Sequence, residues 1–201
     1  SSYYSFDSFQ LSSDSLLGYS DFNYTNANFS VKWMRKFNDD FNGSLRLTGS
    51  QYRYDIGYDQ LSSQAFEVNY DIAEWAGTVD FNYYLNDKNH FNFGGSTKRY
   101  QINPGIREPL GGLSDIGYDK INPEQALESA IYFSNQYDPT KNISLYAGLR
   151  YSLYTRLGPS ESYQYALNKP LNKDFITDTL SYENGTSMAT YHGPELRLSG
   201  R

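Results

Sequence analysis

Trp75, Val79, Phe81, Tyr83 and Leu85 fall on alternate positions, with Gly77 in the same row, and Phe91 and Phe93 resume the alternation after a polar turn. The positions between them, Glu74, Ala76, Thr78, Asp80, Asn82 and Tyr84, are mostly polar. Successive side chains of a strand point to opposite faces, so the pattern predicts a β-hairpin with water on one face and an apolar medium on the other. The 11 residues from Trp75 to Leu85 match the ~9–11 that cross a bilayer as a tilted strand. Aromatic residues near both ends fit the belts that membrane interfaces favour. The expected fold is all-β, an antiparallel transmembrane β-barrel wall.

The same alternation predicts strands over roughly Asn23–Phe37, Gly43–Ile56, Ala65–Leu85, His90–Gln101, Ser129–Tyr137, Asn142–Arg156 and Thr190–Arg201, with Ser2–Phe6 the top of one more. In Asn142–Arg156 the dyad is cleanest: Ile143, Leu145, Ala147, Leu149, Tyr151 and Leu153 alternate with Ser144, Tyr146, Gly148, Arg150, Ser152 and Tyr154. Arg35 interrupts the apolar face of the first of these strands near its turn, where an Arg can snorkel to the interface. Phe66, Val68, Tyr70 and Ile72 run out of phase with Trp75–Leu85, which implies a bulge or bend near Ala73. Short polar turns, Asn38–Asn42, Asn86–Asn89 and Asp138–Lys141, alternate with longer stretches, Gly57–Gln64, Asn103–Pro123 and Gly158–Ser187. Stepping strand by strand puts every short turn on one side and every long loop on the other, as in outer-membrane barrels.

Composition agrees. The chain has 21 Tyr and 12 Phe but 2 Met and no Cys, and a mean hydropathy of −0.70. No long apolar run offsets the polar positions, and none is expected where every second residue faces a lumen. The lack of Cys fits passage through an oxidising compartment. A net charge of −6 without a basic stripe argues against nucleic acid as partner, since phosphate binding needs clustered Lys and Arg. Ser1–Phe6 is strand-like without a charged or apolar leader, and Glu195–Arg201 stops inside an alternating run. The expectation is an internal piece of a longer barrel, residues 1–201 forming a single partial barrel domain; a compact domain of 201 residues is the competing reading.

The segment Ala130–Tyr154, AIYFSNQYDPTKNISLYAGLRYSLY, resembles the hairpin of TonB-dependent outer-membrane receptors, in which a Tyr-containing strand ends at a polar turn and leads into Gly-Leu-Arg-Tyr, here Gly148, Leu149, Arg150 and Tyr151. NYTNANFSVKWMRKFNDDFNGSLRLTGSQYRYDI, VDFNYYLNDKNHFNFGGSTKRYQINPG and YHGPELRLSGR also resemble consecutive barrel strands of those receptors that carry an N-terminal carboxypeptidase-regulatory-like domain. The resemblance implies an about 22-stranded barrel closed by a plug, in the outer membrane of a Gram-negative bacterium. It implies uptake of an extracellular ligand with energy from TonB, and membrane lipid, a plug domain and a surface lipoprotein as partners. The plug, the TonB box and the closing strands lie outside these residues. Nothing in them selects among iron chelates, cobalamin, glycans and peptides.

Candidate chemistry is sparse. His90 and His192 lie far apart with no Cys or carboxylate at ligand spacing, so structural roles are expected, with metal chelation as the sharp alternative. Asn38-Asp39-Asp40 and Asn86-Asp87 lack the spaced carboxylates and terminal Glu of a calcium loop. No nucleophile motif or phosphate loop occurs, no cofactor is expected, and the chain is read as not an enzyme. Arg150, with Tyr146 and Tyr154 on its face, either pairs with carboxylates of wall or plug or touches a ligand. In the loops Arg107, Glu108, Tyr118, Tyr163 and Tyr165 are candidate outward contacts, since Arg and aromatic side chains dominate recognition surfaces; ordinary loop packing is the alternative for each. The proposed ligand set is Arg107, Tyr118, Arg150, Tyr154 and Tyr163. Competing functions are a passive porin and a structural or binding module of a cell-envelope complex, either a barrel scaffold or a β-sandwich.

Overall fold

The computed structural model describes residues 1–15, 18–59 and 61–201. The first strands in chain order are β1 (Ser2–Ser15), β2 (Gly18–Lys36), β3 (Phe41–Asp59), β4 (Phe66–Asn86) and β5 (Asn89–Pro109), followed by the short β6 (Asp119–Lys120). After these come β7 (Glu124–Thr140), β8 (Ile143–Leu157), β9 (Ser160–Tyr165), β10 (Ile176–Tyr182) and β11 (Ser187–Gly200). One antiparallel sheet runs β1-β2-β3-β4-β5-β7-β8-β11, with β6 added to β5, and β9 and β10 form a separate two-stranded ribbon. This bears out the all-β antiparallel expectation, and the sheet is open at both edges.

Register assigns each residue to a face, because cross-strand partners point the same way. One row reads Trp33, Leu45, Val79, Gly95, Ile131, Tyr151. The next toward the short turns reads Arg35, Gly43, Phe81, Phe93, Phe133, Leu149, Leu196. The odd positions of Trp75–Leu85 and Ile143–Leu153 therefore share one apolar face, as the alternation requires. Rings gather at its short-turn end: Phe41 stacks on Phe81 at 5.7 Å and Phe81 on Phe93 at 5.4 Å, while the Arg35 guanidinium lies 5.6 Å from the Phe37 ring. On the opposite face Asn82 donates to Asn42 at 3.1 Å and Asn92 to Asn82 at 3.1 Å, a ladder of amides.

From β2 onward connections alternate as expected, whereas β1 and β2 are joined at the long-loop end by two residues only. Short turns follow β2, β4 and β7, and the longer connections follow β3, β5 and β8; Gln60, within the expected Gly57–Gln64 loop, lies outside the described residues. The turn side chains do local work. Asn38 Oδ1 accepts from the Asp40 N–H at 3.0 Å, and Asn86 Oδ1 from the N–H groups of Lys88 and Asn89 at 3.0 Å each. These are Asx turns. The third turn is tighter than expected, Thr140 pairing with Ile143 across Lys141 and Asn142, with Pro139 inside the irregular end of β7.

Three strand expectations are corrected. Ser2–Phe6 is the short-turn end of β1, not its top: Ser2 pairs with Val31 and Ser15 with Gly18. Several strands run further from the short turns than expected, β2 starting at Gly18, β5 reaching Pro109 and β7 starting at Glu124. No bulge occurs at Ala73: β4 pairs with β3 in unbroken register from Phe66 to Tyr83. The irregularity sits between Asn69 and Asp71 on the β5 side, opposite Pro104, which has no N–H, and Gly105, whose φ of +128° suits glycine.

The phase change has another cause. Across the row Ala27, Gln51, Ala73, Gln101 the two faces exchange character. On the short-turn side of that row the apolar face carries Phe29 and Trp75; beyond it the same face carries Thr25, Arg53, Asp71 and Asn103. The opposite face turns from Asn28, Ser50 and Glu74 to Tyr24, Tyr54 and Tyr70. A continuous strand shows this inversion when its apolar surroundings change sides along its length.

The edges follow the same logic. Ser144 and Arg201 exchange both backbone hydrogen bonds, at 2.8 and 2.9 Å, so even-numbered residues of β11 turn their backbone groups away from β8. Pro194 is one of them, and its missing N–H costs this sheet no bond.

Candidate functional site

The polar face of β4, β5, β7, β8 and β11 carries a charged network. Arg150 Nη2 lies 3.6 Å from Glu128 Oε1, and Arg150 Nε lies 3.7 Å from Glu195 Oε1 while donating to Ser152 Oγ at 3.1 Å. The Ser152 hydroxyl donates to Glu195, and the Tyr132 hydroxyl donates to Asp80. Register brings these groups together: Tyr132, Arg150 and Glu195 are directly opposite one another on β7, β8 and β11, and Glu128 faces Tyr154 two rows further along the same face. The Arg150 side chain is 28% exposed. Beside the network a recess of about 350 Å³ is bounded by Tyr132, Tyr146, Arg150 and Arg197, and a second of about 400 Å³ by Tyr100, Glu128, Tyr154 and Arg156.

Arg150 therefore pairs with carboxylates of its own sheet, the structural half of its sequence reading. Arg150→Met leaves Glu128 and Glu195 without the cation they share. Because the site is part-exposed, we expect a loss of about 1–2 kcal/mol, with Arg150→Lys recovering part of it, read by urea unfolding of the full-length protein. Equal stability of all three proteins would remove Arg150 from the network that holds the wall.

The structure places Arg150 and Tyr154 on one face of β8 and Arg107 and Tyr118 at the β5–β6 junction, where Arg107 Nη2 is 3.9 Å from Asp119 Oδ2 and Tyr118 is 60% exposed. It does not bring Tyr163 to either group. Tyr163 lies on the β9–β10 ribbon and donates its hydroxyl to Glu161 Oε2 at 2.6 Å. That hydrogen bond and the Glu161 charge raise the Tyr163 pKa above the usual tyrosine value. Glu161→Gln should return the titration to the ordinary range, followed by the carbon shift of the labelled Tyr163 ring. An unchanged midpoint would mean the contact is absent in solution.

Sequence reasoning missed a second surface on this face. Beyond the inversion Phe9 stacks on Tyr24 at 5.8 Å, Tyr54 on Tyr70 at 4.9 Å and Tyr58 on Phe66 at 5.5 Å, and the Tyr24 hydroxyl donates to Asp7 at 3.0 Å. Its signal in the sequence is the out-of-phase run Phe66–Ile72, which marks a change of face and not a bulge. The histidines lie in aromatic contacts. His90 stacks on Tyr84 at 4.3 Å on the polar face, and His192, within β11, has Nδ1 2.5 Å from the Tyr151 hydroxyl. Among the described residues no three His, Cys, Asp or Glu gather where a metal ion would bind.

No family model and no curated protein matches the chain. Among solved structures, the ferric-catecholate import receptor Fiu from E. coli K12, in its open form, is similar to 91% of this chain at 14% identity and a TM-score of 0.41. The chain spans 32% of the length of that receptor.

Proposed function

We propose that the chain is part of the wall of a bacterial outer-membrane barrel, with its extracellular loops, in a receptor that takes up a ligand with energy from TonB. The observation that carries the barrel reading is a sheet whose apolar face, among the described residues, has no second sheet upon it. Trp33, Trp75, Ile131, Leu149, Leu196 and Leu198 are each more than half exposed on that face. Contiguous apolar surface of this extent is not left to water. A sandwich would cover it with a second sheet about 10 Å away, whereas a bilayer covers it with lipid. The asymmetric connections then put β6 and the β9–β10 ribbon outside the cell. The inversion marks where the strands leave the membrane.

The receptor reading, with TonB and a plug as partners, rests on the sequence resemblance. In it Arg107 from the end of β5, Tyr118 from the stretch before β6, Tyr163 from the β9–β10 ribbon and Tyr154 are ligand contacts, with Arg150 reaching a ligand from within its pairing with Glu128 and Glu195. Spin labels on the full-length protein in bilayers test the wall: labels at Val79 and Leu145 should be reached by oxygen and not by a water-soluble nickel complex, and a label at position 150 the reverse. The inverse result would sink the face assignment. Capture of the TonB periplasmic domain by the full-length protein tests the energised part, and failure to bind it would favour a passive barrel.

A further inference from the structure

Lys32 on β2 and Arg46 on β3 are directly opposite in register, on the polar face. Lys32 gives its backbone N–H to Ser1 O at 2.8 Å, toward β1. Its pair with Arg46 is therefore of the non-hydrogen-bonded kind, in which Cα atoms stand about 4.5 Å apart and side chains are closest. Like charges so placed repel and cost stability.

Elsewhere on this face cations are answered. Lys98 has Glu74 at 3.2 Å, Arg150 has Glu128 and Glu195, and Arg156 has Glu124 at 3.9 Å. Arg197, on the edge strand, has no such partner among the described residues, and neither Lys32 nor Arg46 has a side-chain hydrogen bond or ion pair among them. Asp80, diagonal to Arg46 across β3 and β4, is engaged by the Tyr132 hydroxyl. Met34 follows Lys32 on this face, and the neighbours of Arg46 carry hydroxyls. Thr78 is directly opposite Arg46, and Ser44 and Thr48 are its same-face neighbours along β3.

We infer that Lys32 and Arg46, with the Ser44, Thr48 and Thr78 hydroxyls, form a binding site for an oxyanion, a carboxylate or phosphate group carried by a solute on the polar side of the sheet. The guanidinium fork takes two oxygens of such a group, the ammonium a third, and the hydroxyls donate to what remains. Binding also relieves the repulsion between the two cations. The site stands on register and pairing alone, whether or not the opposite face meets lipid.

Pyrophosphate is the probe, and acylation of lysine amines in the full-length protein, read peptide by peptide by mass spectrometry, is the measurement. Pyrophosphate should slow acylation of Lys32 severalfold while leaving Lys98, already paired with Glu74, unchanged. Added salt should weaken the protection, and Arg46→Gln should abolish it. Lys32 acylation indifferent to pyrophosphate would overturn the site, as would protection that survives Arg46→Gln. A carbodiimide cross-link joining Lys32 to a carboxylate of the protein itself would also overturn it, since the pair would then be an internal ion pair.

Discussion

Replacing Val79 with Arg should lower the stability of the full-length protein in a bilayer by about 2–4 kcal/mol, the cost of a cation on the lipid face near the midplane. Val79 lies midway along its strand between Trp75 and Tyr83, which bracket the apolar band on β4. About 27 Å of strand separates those two at about 3.4 Å per residue. The matched reference is Ser96→Arg. Ser96 is opposite Thr78, one row from Val79 and Gly95 but on the polar face, so depth is held and only the face changes. Asn82 is a poorer reference, because its amide joins the Asn42–Asn92 ladder and its loss adds a hydrogen-bond cost of about 1 kcal/mol for each contact. Urea unfolding of both variants in the same bilayer measures the difference. Equal losses would mean that the apolar face does not border lipid.

The part of the fold legible in the sequence is the part in which one face stays apolar for its whole length. From Ile143 to Leu153 and from Trp75 to Leu85 a period of two names strand, face and turn together, and the register confirms that both runs share a face. Where the surroundings exchange sides, the same rule fails. Phe66, Val68, Tyr70 and Ile72 obey the period but occupy the other face, and a reading with one apolar face throughout can absorb them only as a bulge. The alternation predicts β2, β3, β5 and β7 shorter than they are for the same reason. The true irregularity, at Pro104 and Gly105, carried the two residues that most often mark one, but they lay in a stretch read as loop.

Site residues were legible to a lesser degree. Arg150 stood out as a cation in an otherwise mild dyad, and its position predicted carboxylate partners without naming them. Glu128 and Glu195 are 22 and 45 residues away in sequence and become neighbours only through the registers of β7 with β8 and of β8 with β11. The Lys32–Arg46 pair is hidden likewise, since each residue alone reads as an ordinary polar-face position. Pairing across strands is long-range information that periodicity does not contain.

Gly49 shows how finely one of these rows is fitted. It stands between Phe29 and Trp75, buried, and a Cβ there would sit 2.6 Å from Trp75 Cζ3 and 2.8 Å from Cε3. The indole lies over the glycine, filling space that a side chain would otherwise take, an arrangement that gives back packing a strand glycine forfeits. Gly49→Val should force the ring off the sheet, at about 1–3 kcal/mol for overpacking a filled site. The chain has 2 Trp residues, so in a Trp33→Phe background Trp75 is the reporter within these strands. Because Trp75 is 64% exposed on the apolar face, its ring has room to swing outward, and the expected signature is an altered emission maximum and lipid-quencher access together with the lost stability. Gly49→Ala should show the same effects in smaller measure. Should Gly49→Val leave both emission and unfolding midpoint unchanged, the indole does not rest on Gly49, and the packing of this aromatic row against the sheet would have to be redrawn.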